Sequence, residues 1–324
     1  MAVLITGGAG YIGSHMIYAL ENRDERMVVL DNLSTGVRAL VSPKAAMIEG
    51  DVADQKLVRR LIGEYGVDAV VHFAASSLVE DSVADPLGYY ANNTVASRAL
   101  IEICMEAGVR YFVFSSSAAI YGNGGDVLLT EDAAKDPINP YGRSKLMTEW
   151  MLEDISRARD FRSITLRYFN VAGADPLGRT GETAQRATHL VKVACQTALG
   201  RRPELEIFGG DYPTRDGTCV RDYVHVGDVV SAHVLALDAL RGGARTAAYN
   251  VGYGSGFTVR EVLAAVERVA GRKVPAREAA RRAGDPATLV ADPSKLKRAL
   301  NWTPRFADLD TIVAHAYEWE RRLS

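Results

Sequence analysis

A doubly wound, Rossmann-type α/β fold is the class that the sequence predicts, and three observations predict it. Short β-branched runs alternate with longer segments of helical spacing through the first half of the chain. A triplet of glycines spaced for close backbone approach follows the first such run. The alternation then breaks near residue 171, where Gly, Asp and Pro cluster. Strands that alternate with helices imply βαβ units and a parallel sheet. A length of 324 residues suits one large or two modest domains at roughly 150 residues each. We therefore expect a doubly wound parallel sheet over 1–170 and a smaller α/β domain over 171–324, with some elements crossing back to the sheet.

The expected strands are Ala2–Ile5, Met27–Leu30, Ala69–His72, Tyr111–Phe114 and Ser163–Tyr168. Between them Ile12, Met16, Ile17 and Leu20, then Leu57, Leu61 and Ile62, recur at helical spacing. Past residue 171, Val171–Gly181 and Phe208–Thr218 read as glycine-punctuated loops, which tend to lie on the surface and carry binding groups. Helical patterns resume at Ala184–Gly200, Val226–Leu240, Thr258–Gly271 and Leu309–Arg322.

The N-terminal glycines are Gly7, Gly10 and Gly13, with Tyr11 and Ile12 opening the helix. A tight turn, backbone approach to a pyrophosphate and packing of helix on strand each require a residue without Cβ. The helix N-terminus then presents free N–H groups to the phosphates. Asp31, followed by Asn32, ends the second strand about 20 positions on, where a carboxylate suits adenosine ribose hydroxyls. It also opposes a 2′-phosphate, since like charges about 4 Å apart cost roughly 4 kcal/mol at an effective dielectric near 20. The cofactor implied is NAD rather than NADP. Asp51, with Val52, reads either as a contact to the adenine edge or as a helix N-cap. Phe73, Ala74 and Ala75 end the next main strand, where small residues let a cofactor lie against backbone, and His72 before them reads as structural.

Ser115, Ser116 and Ser117 close a further strand, and Asn139-Pro140 then starts a helix with a cap and a first-turn proline. Tyr141 falls in its first turn and Lys145 four residues on, along the same face. Bringing a phenol from about 10 to about 7 takes roughly 4 kcal/mol of differential stabilisation. A nearby ammonium and the helix N-terminus both have the right sign. Phenolate, hydroxyl relay and dinucleotide together suit removal of an alcohol proton coupled to hydride transfer.

Other function classes are excluded by composition. The formal net charge of −2 gives no basic surface for nucleic acid or anionic membrane. No apolar run approaches the roughly 20 residues of a membrane helix. Three scattered cysteines and a first strand that begins at residue 2 point to a reducing, cytoplasmic setting without a signal peptide. The six histidines show no metal-ligand spacing, so no catalytic metal is expected.

With these residues stands a wider set of stretches: HFAA at 72–75, YYANN at 89–93, FSSSAAIYG at 114–122, NPYGRSK at 139–145, LRYFNVAGADP at 166–176, FGGDYPTRDGTCVRDYVHVGD at 208–228 and RRAGDPATLVAD at 281–292. Together they resemble the extended short-chain dehydrogenase/reductase family, in its branch acting on nucleotide sugars. The resemblance implies a non-dissociating NAD and a redox-neutral interconversion of UDP-glucose and UDP-galactose at C4 through a 4-keto sugar. It makes Tyr141 the base for the 4-hydroxyl, Ser117 its partner and relay, and Lys145 the holder of the nicotinamide ribose. Asn93, Ser115 and Tyr168 complete the expected cofactor set.

For the substrate the resemblance implies Asn170, His189 and Leu190 near the diphosphate, and Arg221 and Arg282 neutralising it. Phe208 would pack on uracil and Asp285 accept from ribose. In isolation the two arginines read equally as solvated ion-pair partners, and Phe208 as core. His189 stands where some members have Asn, and Ser77 where some have Lys. Leu289 falls where the sugar pocket is bounded by a large Tyr or a smaller residue, and it admits the expectation that UDP-N-acetylhexosamines enter too.

A dehydratase on this scaffold would need an acidic pair where this chain has Ala118 and Ala119. A UDP-uronate epimerase and a non-catalytic NAD sensor are the remaining alternatives. The family is usually a homodimer, for which Leu100, Ile101, Met147 and Met151 read either as seam or as core.

Overall fold

The computed structural model describes residues 1–125, 128–184, 186, 188–282 and 285–323. From the N-terminus run β1 (Ala2–Thr6), α1 (Tyr11–Glu21), β2 (Met27–Asp31), β3 (Ala46–Glu49), α2 (Gln55–Tyr65), β4 (Val67–His72), α3 (Val79–Ala84), α4 (Pro86–Tyr89), a π-helical turn (Tyr90–Val95), α5 (Ala96–Glu106), β5 (Tyr111–Ser117), α6 (Pro140–Ala158) and β6 (Arg162–Tyr168). There follow β7 (Asn170–Ala172), α7 (Leu190–Ala198), β8 (Leu205–Phe208), β9 (Val220–Arg221), β10 (Tyr223–His225), α8 (Val226–Arg241), β11 (Ala247–Val251), β12 (Phe257–Thr258), α9 (Val259–Ala270), β13 (Ala276–Ala279), β14 (Thr288–Leu289), α10 (Ser294–Leu300) and α11 (Leu309–Arg322). Among the described residues no helix is long and apolar enough to cross a membrane.

Seven strands form one sheet in the order β11-β6-β5-β4-β1-β2-β3. β1 pairs parallel with β2 and β4, as do β2 with β3 and β4 with β5. Val3, Leu4, Ile5, Val28, Val29, Leu30, Val70 and Val71 are fully buried, the apolar run expected of strands covered on both faces. The order reverses between β1 and β4, and ligands of such sheets bind at the carboxyl ends beside that reversal. β3 and β11 lie at the sheet edges and are absent from the sequence expectation. β3, Ala-Met-Ile-Glu, is short, half-exposed and without alternation, so it carries little periodic signal.

The chain divides into two compact units: Met1–Ile120 with Pro137–Arg167 and Val230–Tyr249, and Tyr121–Asp136 with Tyr168–Val229 and Asn250–Ser324. The chain passes between them after Ile120, Asp136, Arg167, Val229 and Tyr249. Most of α8 belongs to the first unit, where it buries Ala232, Ala236, Leu237 and Leu240 and where Arg241 at its end is bonded to both Glu25 and Asp68.

In the first unit, α2 and α5 bury Val58, Leu61, Leu100, Ile103 and Cys104 in one apolar cluster with Leu4, Leu30, Val70, Phe112 and Phe114. Asp54 caps α2 by accepting from Lys56 and Leu57 N–H, and Gly66 closes it at φ 65°. In the second unit α7, α9 and α11 pack together around Ala194, Val262, Val266, Ile312 and Val313. A capping box of Thr258 and Glu261 opens α9, worth about 1 kcal/mol. α7 begins at Leu190 rather than at Ala184, and residues 185 and 187 of the expected helix lie outside the described residues.

Candidate active site

The glycine loop is a close approach of backbone to backbone. A Cβ on Gly7, whose φ is +68°, would lie 2.6 Å from the Ala74 nitrogen, so the ends of β1 and β4 touch there. A Cβ on Gly13 would lie 2.2 Å from the Gly7 carbonyl oxygen. Gly10, the N-cap of α1, brings no side chain to cap the helix, which leaves the Tyr11 and Ile12 amides pointing out of the first turn. This cradle fits the diphosphate of a dinucleotide.

Asp31 is buried and braces the loop: one carboxylate oxygen accepts from Ala9 N–H at 2.9 Å and the other from Leu33 N–H at 2.8 Å. Each oxygen keeps acceptor capacity for a ribose hydroxyl. Asn32 donates to Asp51 at 3.4 Å, and Asp51 accepts from Ala53 N–H, so the two expected adenosine contacts stand together. The cap of α2 is Asp54, which removes the N-cap reading of Asp51. Val52 is buried in the core beside them, so only its backbone is open to a ligand. Phe73 packs on His233 with ring centroids 4.8 Å apart, while Ala74 and Ala75 are half-buried.

Asn93 lies in the π-helical turn, a distortion common at functional sites. Its amide clamps the backbone of Ser76 at both ends, at 2.8 and 2.9 Å, and donates to Ser144 on α6. Ser97 donates to the Asn93 carbonyl and meets His72 at 2.8 Å, and His72 meets Thr6 at 2.7 Å. Burial holds the His72 imidazole neutral, at about 3, consistent with a structural role. Ser77 is exposed.

α6 starts as its sequence dictates, with the Asn139 side chain accepting from Gly142 N–H at 2.8 Å and Pro140 in the first turn. Gly142 permits close contact, since a Cβ there would lie 2.5 Å from the Ala119 carbonyl oxygen. The first turn so placed sets the half-buried Tyr141 beside Ser117, whose hydroxyl draws the phenol down. Lys145 is buried and donates to the Ser115 carbonyl at 3.0 Å, with its ammonium 5.9 Å from the Tyr141 ring centroid. Burial pushes Lys145 down to about 8.

The Tyr141 phenol stands above its ordinary value, because burial outweighs the lowering effect of Ser117. In the cofactor-free site burial is thus the larger effect on the phenol. The ammonium is itself desolvated and lies over the ring, 5.9 Å from its centroid. A positive charge brought beside the phenol would lower it.

In the second unit Asn170 begins β7, paired with Tyr223 of β10. Asn170, His189 and Leu190 line one recess with Glu182, Lys192 and Trp319. His189 is half-exposed and meets Glu182 at 2.6 Å, and that carboxylate raises the imidazole above its ordinary value. Arg221 is buried and paired with Asp285, so the expected diphosphate and ribose contacts are each other's partners. Arg282 lies 3.8 Å over the Phe208 ring and covers one of its faces. Leu289 is buried on β14, opposite Arg221 of β9. Tyr168 is buried at the end of β6.

The sequence reading missed Ser116, Glu149 and Arg167. Ser116 donates to Glu149 at 2.5 Å, and Arg167 grips the same carboxylate at 2.7 and 3.1 Å. The available signal was an acid four residues past Lys145 on a helix face that is otherwise buried. Among the described residues no group of three or more His, Cys, Asp or Glu is placed to hold a metal.

A family model described as the NAD dependent epimerase/dehydratase family matches residues 3–252. A UDP-glucose 4-epimerase of Azospirillum brasilense is 53% identical, over 99% of this chain and 92% of its own. The crystal structure of a UDP-glucose-4-epimerase from Stenotrophomonas maltophila, with bound NAD and formylated UDP-arabinopyranose, matches with a TM-score of 0.97 and 40% identity over 100% of this chain and 98% of its own. The UDP-Glc/GlcNAc 4-epimerase of Campylobacter jejuni matches with a TM-score of 0.87 and 45% identity over 99% of each chain.

Proposed function

The chain belongs to the NAD dependent epimerase/dehydratase family, and from that premise we propose that Tyr141, Ser117 and Lys145 carry out NAD-dependent 4-epimerisation of UDP-glucose and UDP-galactose. The observation that carries this reading is the buried Lys145 anchored on the Ser115 carbonyl, four residues along α6 from a Tyr141 that stands beside Ser117. Tyr141 takes the proton of the sugar 4-hydroxyl and later returns it, with Ser117 holding the hydroxyl in line. Lys145 holds the nicotinamide ribose, and Gly7, Gly10, Gly13 and Asp31 hold the pyrophosphate and adenosine. When bound, NAD supplies a reversible hydride acceptor. The resulting 4-keto sugar must turn before reduction, so binding energy is best placed on the UDP and not on the hexose.

That anchoring falls to Asn170, His189, Leu190, Phe208, Arg221, Arg282 and Asp285. A dehydratase would lack its acid and base, since Ala118 and Ala119 stand at those positions. Leu289 is shorter than a tyrosine, and we include UDP-N-acetylglucosamine in the substrate range. The test is incubation with UDP-galactose, no cofactor added, followed by anomeric proton NMR. A mixture of UDP-glucose and UDP-galactose is expected, and a parallel reaction with UDP-N-acetylglucosamine is expected to yield its C4 epimer. Unchanged UDP-galactose with NAD bound sinks the reading in favour of a UDP-uronate. An inert UDP-N-acetylglucosamine removes only the wider range.

The same reading includes a homodimer. α3, α4, the π-helical turn and α6 pack on one another and leave Val83, Leu87, Val95, Met147 and Trp150 exposed, at 36–78%. Leu100 and Ile101 are core, which takes them out of the expected seam, and Met151 packs against the same core. In sedimentation the wild type is expected at twice 35.1 kDa and Trp150→Glu at the monomer mass. A monomeric wild type refutes this. The free, buried Cys104, Cys195 and Cys219 support a reducing, cytoplasmic setting.

A further inference from the structure

Three consecutive residues at the end of β5 each hold one residue of a single face of α6. Ser117 stands beside the Tyr141 phenol and lowers it, the Ser115 carbonyl accepts from Lys145, and Ser116 donates to Glu149. Tyr141, Lys145 and Glu149 follow at i, i+4 and i+8, in line along the helix. The reaction uses the first two of these contacts and leaves the third unexplained.

Glu149 is 7% exposed and Arg167 4%, and Arg167 projects from β6, the neighbour of β5 in the sheet. Such a buried pair is weak as a source of stability, because an apolar pair of similar volume is often as stable or more so. Its bidentate geometry, by contrast, fixes direction as well as distance. The Glu149 carboxylate is held from two strands, by Ser116 of β5 and Arg167 of β6. That sets both the rotation of α6 and its height on the sheet. A base works only within hydrogen-bond reach of its proton, and a displacement of about 1 Å costs on the order of 100-fold in rate.

We propose that Glu149 is a positioning residue: held by Ser116 and Arg167, it fixes α6 on the sheet so that Tyr141 meets Ser117 and Lys145 meets the Ser115 carbonyl. This rests on the reading of Tyr141 as the base.

Two variants test it. Ser116→Ala removes one hydroxyl, and Glu149→Leu with Arg167→Met replaces the ion pair by an apolar one without leaving a buried charge. The deciding readout is the ionisation midpoint of the Tyr141 phenol, from absorbance titration against a Tyr141→Phe variant of the same background. Moving Tyr141 away from Ser117, which holds the phenol down, is expected to raise the midpoint by about half a pH unit or more. With UDP-galactose, kcat is expected to fall on the order of tenfold while KM stays within about twofold. Unmoved midpoints in the folded variants overturn the positioning role, and Ser116→Ala alone decides if the double variant does not fold. A wild type without epimerase activity counts against the functional reading, whereas the phenol titration still decides the role of Glu149.

Discussion

Tyr141→Phe is expected to lower kcat on the order of 1000-fold while the protein stays folded, the range general acid–base catalysis commands. The substitution keeps the ring and its packing and removes only the hydroxyl beside Ser117. No other phenol takes its place on that face of α6, where the next residues in line are Lys145 and Glu149. The pH dependence follows with its sign. Burial raises the Tyr141 phenol, so activity rises with pH as the phenolate forms. Burial also lowers Lys145 to about 8, so in the cofactor-free protein its ammonium is held below that pH and lost above it. The rising limb belongs to Tyr141 and is expected to vanish in the Phe variant. Steady-state kinetics across pH, with circular dichroism as a check on folding, decides it. A variant within tenfold of wild type would remove Tyr141 from the chemistry.

Gly13→Ala is expected to yield protein without NAD, and therefore without activity. The new Cβ would lie 2.2 Å from the Gly7 carbonyl oxygen and 2.7 Å from the Gly8 Cα, both backbone atoms with no rotamer to yield. Forcing that contact opens the turn or shifts α1, a strain of about 1–3 kcal/mol placed where the pyrophosphate belongs. Gly66→Ala is the control: its Cβ meets nothing within 4 Å, and only its φ of +65° opposes the change, at about 1 kcal/mol. Nicotinamide released on denaturation, measured per mole of protein, separates the two. Equal NAD in Gly13→Ala and Gly66→Ala would mean that the loop tolerates a methyl and the assignment of the cradle fails.

The parts of this molecule legible in advance are those written locally. β1, the glycine loop and α1 occupy adjacent residues, and Asn139-Pro140 marks the start of α6 within one dipeptide. Tyr141 and Lys145 need only helical spacing to meet. What escaped the sequence reading is decided by distant partners. Arg167 lies 18 residues from Glu149, and Arg221 lies 64 residues from Asp285, so nothing local marks either pair. Leu100 and Ile101 carry the same apolar character in a seam as in a core, and only the packing of α5 assigns them. β3 was lost because a half-exposed edge strand of four residues has no period to read.

Arg221 and Leu289 face each other across β9 and β14, in a ladder made by the Val220 and Asp222 amides donating to Ala287 and Leu289 carbonyls. Those bonds are blind to side chains. A lineage or an engineer can therefore exchange residue 289 while the cation beside it keeps its place. On the proposed assignment of Leu289 to the sugar and Arg221 to the diphosphate, taste for the hexose and grip on the nucleotide become separately adjustable, and a new hexose can be tried without first losing hold of the old handle.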